Sequence, residues 1–161
     1  MDSQSIFNHL TAIYRPYTKF FQPVFEEFDV YPAQWLVLKD IAQNAPTTLV
    51  QISKRRAIEK PTTRKILKVL SDKSLLTIEP GEDKREKLLS FSEKGQQLYG
   101  AINTRICDVQ DKIIENTGLS DDELNYAIQV IQKIHEQIIN MEKYSNKSIH
   151  FSEITDLDKK F

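Results

Sequence analysis

Apolar residues recur at spacings of three and four along most of the chain, which is the pattern of amphipathic helices. The first stripe spans residues 5–28 and is rich in aromatic side chains. Pro16 and Pro23 interrupt it. An interior proline removes a backbone hydrogen bond and clashes with the preceding turn, so we expect a kink or a break into two helices. A second helix is expected from Pro32 to about Gln43.

The central stretch predicts a helix, a tight turn, a second helix, a strand and a charged hairpin, and it runs from Thr48 to Arg85. Thr48 is a good N-cap because its hydroxyl can accept a hydrogen bond from a free N–H of the first turn. Pro61 suits the start of the second helix, where its missing N–H costs nothing. The apolar stripe of that helix is formed by Ile66, Leu67 and Leu70.

Two short strands are expected next, at residues 75–78 and 87–91, with the turn between them marked by Pro80-Gly81. Two long amphipathic helices follow, over about residues 93–116 and 121–141. We expect these helices to form a hairpin with more apolar surface than a small domain can cover. Pairing with a second copy of the chain buries such a surface, and two-fold symmetry is the usual arrangement.

Basic residues are concentrated in the two central helices, although the 161-residue chain has a net charge of −1. Residues 48–73 hold eight Lys or Arg against two acids, a net charge of +6. Residues 107–161 hold eleven acids against six bases, a net charge of −5. A charge run is usually a solvated helix face, but this segregation, with the turn and the hairpin beside it, favours a polyanion as the partner.

Two motifs, in order and with the helix pair between them, carry a resemblance to a known family. In the first, Asp83-Lys84-Arg85 is followed by a hydrophobic alternation and then by Ser92 and Gly95. The second is the run from Tyr31 to Leu38, which resembles the start of the family's second helix. Together they resemble the MarR family of winged helix-turn-helix transcriptional regulators, over roughly residues 5–141.

The resemblance implies a mainly α fold with a small two- to three-stranded β wing and with N- and C-terminal dimerisation helices. Residues 30–91 would form the winged DNA-binding region, and residues 1–29 and 92–144 the dimerisation helices. Residues 145–161 would be a C-terminal tail. The expected protein is a homodimeric repressor that binds a pseudo-palindromic operator in double-stranded DNA.

The helix that starts near Pro61 is expected to enter the major groove, although Thr63 stands where the family usually has an apolar residue. Arg55, Arg56 and Lys68 are expected on phosphates, and Lys84 and Arg85 along the minor groove. The full set of expected DNA contacts is Arg55, Arg56, Lys60, Thr62, Thr63, Arg64, Lys65, Lys68, Lys84 and Arg85.

A different class of function is also compatible with a winged helix, namely a protein-interaction module without DNA contact. Its basic face would then bind an acidic partner protein. Lys84 and Arg85 at the wing favour DNA, because an interaction module has no need for a second cationic site beside the basic helix.

A small phenolic or apolar effector is expected at the junction between the dimerisation helices and the winged region. Pockets favour aromatic walls with a few polar tips, and the resembled family commonly binds phenolic compounds there. The alternative is that these aromatics are plain core and that the arginine among them is a surface or intersubunit ion pair. The candidate residues are Tyr14, Arg15, Tyr17, Phe21, Trp35 and Leu38.

The chain shows no sequence pattern typical of catalysis or of metal binding. It has only four glycines and no phosphate-binding loop, and His9, His135 and His150 have no partner at metal-ligand spacing. We therefore expect no catalytic site, no metal site and no cofactor. Cys107 lies beside Ile106 in a predicted helix and is expected to be a buried, inert thiol.

The compartment is predicted from three features of the composition. No apolar run approaches the roughly 20 residues that a membrane span requires. The N-terminus lacks the pattern of a signal peptide, and a single cysteine excludes an intrachain disulfide framework. A cytoplasmic protein without a membrane partner is expected.

Overall fold

The computed structural model describes residues 2–148. This part of the chain is mainly helical with a two-stranded antiparallel sheet, which confirms the predicted fold class. It falls into two compact units, which divide between Lys112 and Ile113. The elements are α1 (Ser3–Glu27), α2 (Pro32–Asn44), α3 (Leu49–Arg56), α4 (Lys60–Asp72), β1 (Leu76–Pro80), β2 (Lys87–Phe91), α5 (Glu93–Thr117) and α6 (Asp121–Ser148).

Helix α1 is one helix with both prolines inside it, so the expected break into two helices is wrong. An interior proline costs about 3 kcal/mol. Burial of a large apolar side chain contributes about 1.5–3 kcal/mol. Phe21, Val24 and Phe25 are all buried in the C-terminal half of α1, and their combined burial is large enough to offset the cost of Pro23, which lies among them.

The core of the first unit gathers apolar side chains from its helices and from β2. Trp35 of α2 stacks on Tyr99 of α5 with ring centroids 5.2 Å apart, and Tyr99 in turn stacks on Phe91 of β2 at 5.6 Å. The predicted stripe of α4 is confirmed as part of this core. The fully enclosed apolar side chains, at 0–2% exposure, are Phe21, Val37, Leu38, Ile41, Ile52, Leu70, Leu75 and Ile102.

Short-range signals mark the helix ends, and the predicted N-cap role of Thr48 is confirmed. Thr48 Oγ1 accepts from the Gln51 N–H at 3.3 Å, and the Gln51 side chain accepts from the Thr48 N–H at 3.1 Å, which closes a capping box. Ser92 Oγ accepts from the N–H of Gly95 at 3.0 Å and starts α5. The φ of +71° at Gly118, directly after α5, is the left-handed conformation that favours glycine at this position.

The wing is the antiparallel pair of β1 and β2, with Leu76 opposite Phe91 and Pro80 opposite Lys87. Strand β1 continues to Pro80, two residues beyond the predicted end. An isolated antiparallel bridge between Thr47 and Leu89 adds the segment before α3 to the sheet.

Helix α6 lies in the second unit and runs to Ser148, past the expected end at Met141. The remainder of the predicted tail, residues 149–161, lies outside the described residues. Many large apolar side chains of this unit are exposed, and the hairpin arrangement stays a prediction. These side chains are Ile113, Ile114, Leu119, Tyr126, Ile128, Ile131, Ile138, Ile139, Met141 and Tyr144.

Candidate functional site

Helix α4 presents a cationic surface because Ile66, Leu67 and Leu70 are buried on the opposite face. Its buried side chains are Thr63, Ile66, Leu67 and Leu70. The predicted contact residues that lie exposed on this helix are Lys60, Thr62, Arg64, Lys65 and Lys68. Lys68 pairs with Asp72 at 3.0 Å, but both side chains are exposed, so the pair is weak and leaves Lys68 accessible to another anion.

Thr63 does not share this surface, and its assignment as a DNA contact is wrong. Its side chain is fully buried, where Ser53 Oγ donates to Thr63 Oγ1 at 2.8 Å. Thr63 Oγ1 donates to the Glu59 carbonyl at 3.2 Å. Thr63 precedes Ile66 by three residues and Leu67 by four, so the helical period puts it on the apolar stripe.

The turn between α3 and α4 is short and depends on one left-handed residue. Ala57 has a φ of +52° and ends α3, with its N–H donating to the Ser53 carbonyl. Ile58 follows directly and packs against the core at the joint between the two helices. The two helices are therefore held at a fixed angle, as a helix-turn-helix requires.

Arg55 and Arg56 converge on a carboxylate that sequence reasoning missed. Asp40 of α2 is 1% exposed, and both of its oxygens accept hydrogen bonds. Arg55 Nη2 lies 2.6 Å from Asp40 Oδ1, and Arg56 Nε lies 3.1 Å from Asp40 Oδ2. The side-chain hydrogen bond to Asp40 raises the pKa of Arg55 above its ordinary value.

A signal for this cluster was present in the sequence. Asp40 stands among the apolar positions of α2, directly before Ile41 and two residues after Leu38. Such a carboxylate has to be paired and hydrogen-bonded if it is buried. The identity of the partners depends on packing, because Arg55 lies 15 residues further along the chain.

The wing loop carries the other predicted cations. Lys84 and Arg85 are exposed between β1 and β2. Asp83 Oδ1 accepts from the Arg85 N–H at 3.0 Å, which steadies the loop backbone at its tip. The Gly81 N–H donates to the Glu86 carbonyl at 2.8 Å and closes the loop.

A small cavity of about 110 Å³ lies in the first unit, lined by α1, α2 and α5. Four of the six predicted pocket residues line it: Tyr14, Tyr17, Phe21 and Trp35. The Tyr17 and Phe21 rings meet edge to face at 4.7 Å.

Two predicted pocket residues do not belong to the cavity. Leu38 is fully buried in the core, and Arg15 is exposed on α1. Four polar residues that were not predicted line the cavity instead, namely Thr18, Lys39, Asn103 and Gln110. Gln110 Nε2 donates to the Tyr17 hydroxyl at 2.8 Å, and Lys39 is the one charged side chain among the described residues around this space.

A larger and more open hollow of about 420 Å³ lies along α1 and the loop before α2. Its lining mixes Lys19 with Glu26 and Asp29, and Asp29 is already paired with Lys73 at 3.2 Å. Opposite charges on its wall favour no single class of ligand.

Cys107 is exposed on α5, so the prediction of a buried thiol is wrong. Within residues 2–148, no group of three or more His, Cys, Asp or Glu residues is arranged to hold a metal ion. No helix in the described part of the chain is both long and apolar enough to span a bilayer.

Known proteins resemble this chain in sequence and in fold. No protein-family model matches the chain. A helix-turn-helix-type transcriptional regulator of Staphylococcus aureus strain Mu50, itself described as uncharacterized, is 44% identical over 140 residues, which cover 86% of this chain and 96% of the relative.

Solved structures agree with this result. Staphylococcus aureus MarR in its native form is 44% identical, with a TM-score of 0.81 over 87% of this chain and 99% of that one. The same protein in complex with salicylate and kanamycin has a TM-score of 0.79 over 86% and 93% of the two chains. A mutant of Escherichia coli MarR in complex with operator DNA is 19% identical, with a TM-score of 0.68 over 81% and 93%, and is alike in fold.

Proposed function

The chain belongs to the MarR family of winged helix-turn-helix, DNA-binding transcriptional regulators, and on that premise we propose that it is a homodimeric repressor of a pseudo-palindromic operator. The observation that carries the proposal is the exposed cationic face of α4, together with the exposed side chains of Lys84 and Arg85 in the wing loop. Because such a protein works on chromosomal DNA, we infer that it acts in the cytoplasm.

In the proposed complex, α4 enters the major groove. Arg64 and Lys65 are exposed in its first turns, where side chains of a recognition helix reach base edges. Lys60, Thr62 and Lys68 lie beside them and contact phosphates, which fix the register of the protein on the duplex. Lys84 and Arg85 follow the adjacent minor groove, where narrow A·T-rich segments attract basic side chains.

Each of the two units exposes apolar surface, and this supports the proposed dimer. On α1, Phe7, Ile13 and Phe20 are 45%, 58% and 63% exposed, and α6 carries exposed isoleucines along its length. Exposed apolar patches of this extent mark association sites in soluble proteins. A two-fold dimer with one recognition helix per subunit binds half-sites roughly 10 bp apart, centre to centre.

Selection of bound sequences from a random duplex pool tests the DNA proposal. Arg64→Ala and Lys65→Ala each weaken binding to the selected site by about 1–3 kcal/mol, because a good base-edge contact contributes that much. Lys133→Ala on α6 is the matched control and leaves the affinity unchanged. Parent-like affinity of both α4 variants contradicts the assignment of α4 as the recognition helix.

The competing function is a protein-interaction module without DNA contact. The salt dependence of binding to DNA distinguishes it from a DNA-binding regulator. Retention on heparin, followed by a salt series on random duplex DNA, gives a linear decrease of log K with log salt for a protein that neutralises phosphates. Absence of any duplex binding at low salt favours the interaction module.

We further propose a small aromatic acid as the effector, bound in the cavity beside Trp35. About 150 Å³ of apolar cavity accommodates benzene, so this smaller space suits one ring after modest adjustment of its walls. Lys39 supplies a cation for a carboxylate, and the Tyr17 hydroxyl supplies a polar tip. The proposal is also supported by the 44% identical relative solved with salicylate and kanamycin.

The effector releases DNA only if it binds one arrangement of the two recognition helices better than the other. Trp35 is the single tryptophan, so its fluorescence reports binding directly. Titration with salicylate quenches or shifts this fluorescence and weakens operator binding in parallel. Lys39→Gln raises the half-maximal concentration of salicylate, whereas Lys133→Gln leaves it unchanged. No response at millimolar salicylate contradicts this effector class.

A further inference from the structure

The hydrogen bonds around Asp40 use three N–H donors of Arg55 and two of Arg56. Arg55 Nε lies 3.1 Å from both oxygens of Asp40. Arg55 Nη2 donates to Asp40 Oδ1 at 2.6 Å and to Thr47 Oγ1 at 2.5 Å. Because both hydrogens of Nη2 are then engaged, only Nη1 of this guanidinium remains for another partner.

Arg56 is held in a similar way. Its Nε donates to Asp40 Oδ2 at 3.1 Å, and its Nη2 donates to Gln43 Oε1 at 3.3 Å. The side chains of Arg55 and Arg56 are only 35% and 22% exposed to solvent. A strong arginine–phosphate contact uses two parallel N–H donors, and those of the Nε edge already point to partners within the protein.

The same cluster reaches the wing through Thr47. The Thr47 N–H donates to the Leu89 carbonyl at 3.0 Å, and the Leu89 N–H donates to the Thr47 carbonyl at 2.7 Å. The Thr47 hydroxyl accepts from Arg55 and donates to Gln51 Oε1 at 3.0 Å. Asp40 therefore connects α2, the end of α3 and strand β2 through side-chain and backbone hydrogen bonds.

We propose that Asp40 is a positioning residue for DNA binding, which holds Arg55 and Arg56 as parts of the scaffold and keeps both guanidinium groups off the phosphates. The inference rests on the DNA binding proposed above. Phosphate contacts are then made by the exposed cations of α4 and the wing, whose places are set by the fold. Loss of the Asp40 charge frees two cations that bind phosphates of any sequence, because phosphate contacts carry no sequence information.

Asp40→Asn tests this inference, because it removes the charge and keeps the size of the side chain. The measurement is log K against log salt for the selected operator and for a random duplex of the same length. On the random duplex the slope becomes steeper by about 0.9 for each additional phosphate that the freed arginines neutralise. The ratio of operator to random affinity falls at the same time.

A purely structural ion pair gives a different result. In that case Asp40→Asn weakens binding to both duplexes, and the salt slope stays the same or becomes shallower. That outcome overturns the proposal. If the parent protein selects no operator, the proposed function fails, whereas an operator-binding parent with unchanged slopes in the variant contradicts only the role of Asp40.

If the Asp40→Asn variant does not fold, two single substitutions still test the inference, namely Arg55→Gln and Arg56→Gln. Each leaves Asp40 one guanidinium partner. Neither changes the salt slope on the operator, because neither side chain neutralises a phosphate in the parent protein. Lys68→Gln on α4 is the matched control and makes the slope shallower by about 0.9, because that side chain contacts a phosphate in the proposed complex. A shallower slope for either α3 variant overturns the proposal.

Discussion

At the scale of single residues, the wing motif ends in Gly95 because the backbone of another segment passes too close to residue 95 for a side chain. Gly95 lies in the first turn of α5, and a Cβ built there would be 2.0 Å from the Leu75 carbonyl oxygen. That carbonyl also accepts from the Ser92 N–H at 3.0 Å, and Ser92 Oγ donates to the Ser74 carbonyl at 2.7 Å. Residue 95 therefore has to lack a side chain so that α5 can start against the segment before β1.

Gly95→Ala should destabilise the protein by about 3 kcal/mol, because the backbone of Leu75 has to move to accept a methyl group. Gly100→Ala is the matched control in the same helix. No atom lies within 4 Å of a Cβ at that position, so the substitution stabilises the helix by up to about 1 kcal/mol. Urea unfolding at a fixed protein concentration measures both, and similar midpoints for the two variants would contradict the steric explanation.

At the scale of elements, the ends of the helices are set by local hydrogen bonds. Helix α6 begins with a capping box in which the Ser120 N–H donates to Glu123 Oε2 at 2.8 Å and the Glu123 N–H donates to Ser120 Oγ at 3.2 Å. The hydrogen bond from the Ser120 backbone lowers the pKa of Glu123, and the Ser120 hydroxyl lowers it further. The charged carboxylate is the form that caps the helix.

Ser120→Ala should raise the pKa of Glu123 part of the way towards its ordinary value, since the hydroxyl donor is lost and the backbone donor remains. Ser120→Thr keeps a hydroxyl and keeps the pKa low. NMR titration of the Glu123 side chain measures both. The pKa of Glu123 is lower in the folded protein than in the unfolded chain, where it is about 4.3. The cap therefore contributes fully to the free energy of unfolding above that pH, and this contribution is lost as the pH falls through the pKa of the folded protein. An identical Glu123 pKa in the parent and the alanine variant would refute the role of the hydroxyl.

At the scale of the whole molecule, the large exposed apolar surface would be covered in the proposed dimer. Ile131 and Ile138 of α6 are 49% and 51% exposed. Each square ångström of apolar surface that an interface covers contributes roughly 25 cal/mol, before the cost of association is subtracted. Dimerisation through such surface also couples the two recognition helices, which a two-fold operator requires.

Ile131→Glu combined with Ile138→Glu should shift the protein towards monomer, because charged side chains would have to be buried unpaired at the interface. Lys133→Glu, on the same helix, introduces the same charge at a polar position and leaves the dimer intact. Sedimentation equilibrium gives the masses, and circular dichroism checks that the helices persist. A double variant that stays a dimer would remove α6 from the proposed interface.

Local signals in the sequence were sufficient for the elements and for much of the cationic surface. Thr48, Ser92 and Ser120 cap partners within three residues, so their roles depend only on the chain nearby. The periodicity of α4 placed Arg64 and Lys65 opposite the apolar stripe, because a helix has 3.6 residues per turn and residues one or two positions apart therefore lie on different faces. The pattern also placed Thr63 on the buried face, but Thr63 was assigned as a DNA contact because its side chain is polar.

Contacts between distant parts of the chain were decided only by the tertiary structure. Asp40 meets two arginines 15 and 16 residues further on, and nothing within one helical turn of Asp40 indicates that pairing. Lys39 replaces Arg15 beside the cavity because packing of α1 on α2 determines which cation faces that space. Periodicity specifies the face of a helix on which a residue lies, and packing specifies what that face meets. For this reason the sequence determined most of the elements and the family, and the fold decided which cations pair with the buried Asp40 and which stay exposed on α4 and the wing.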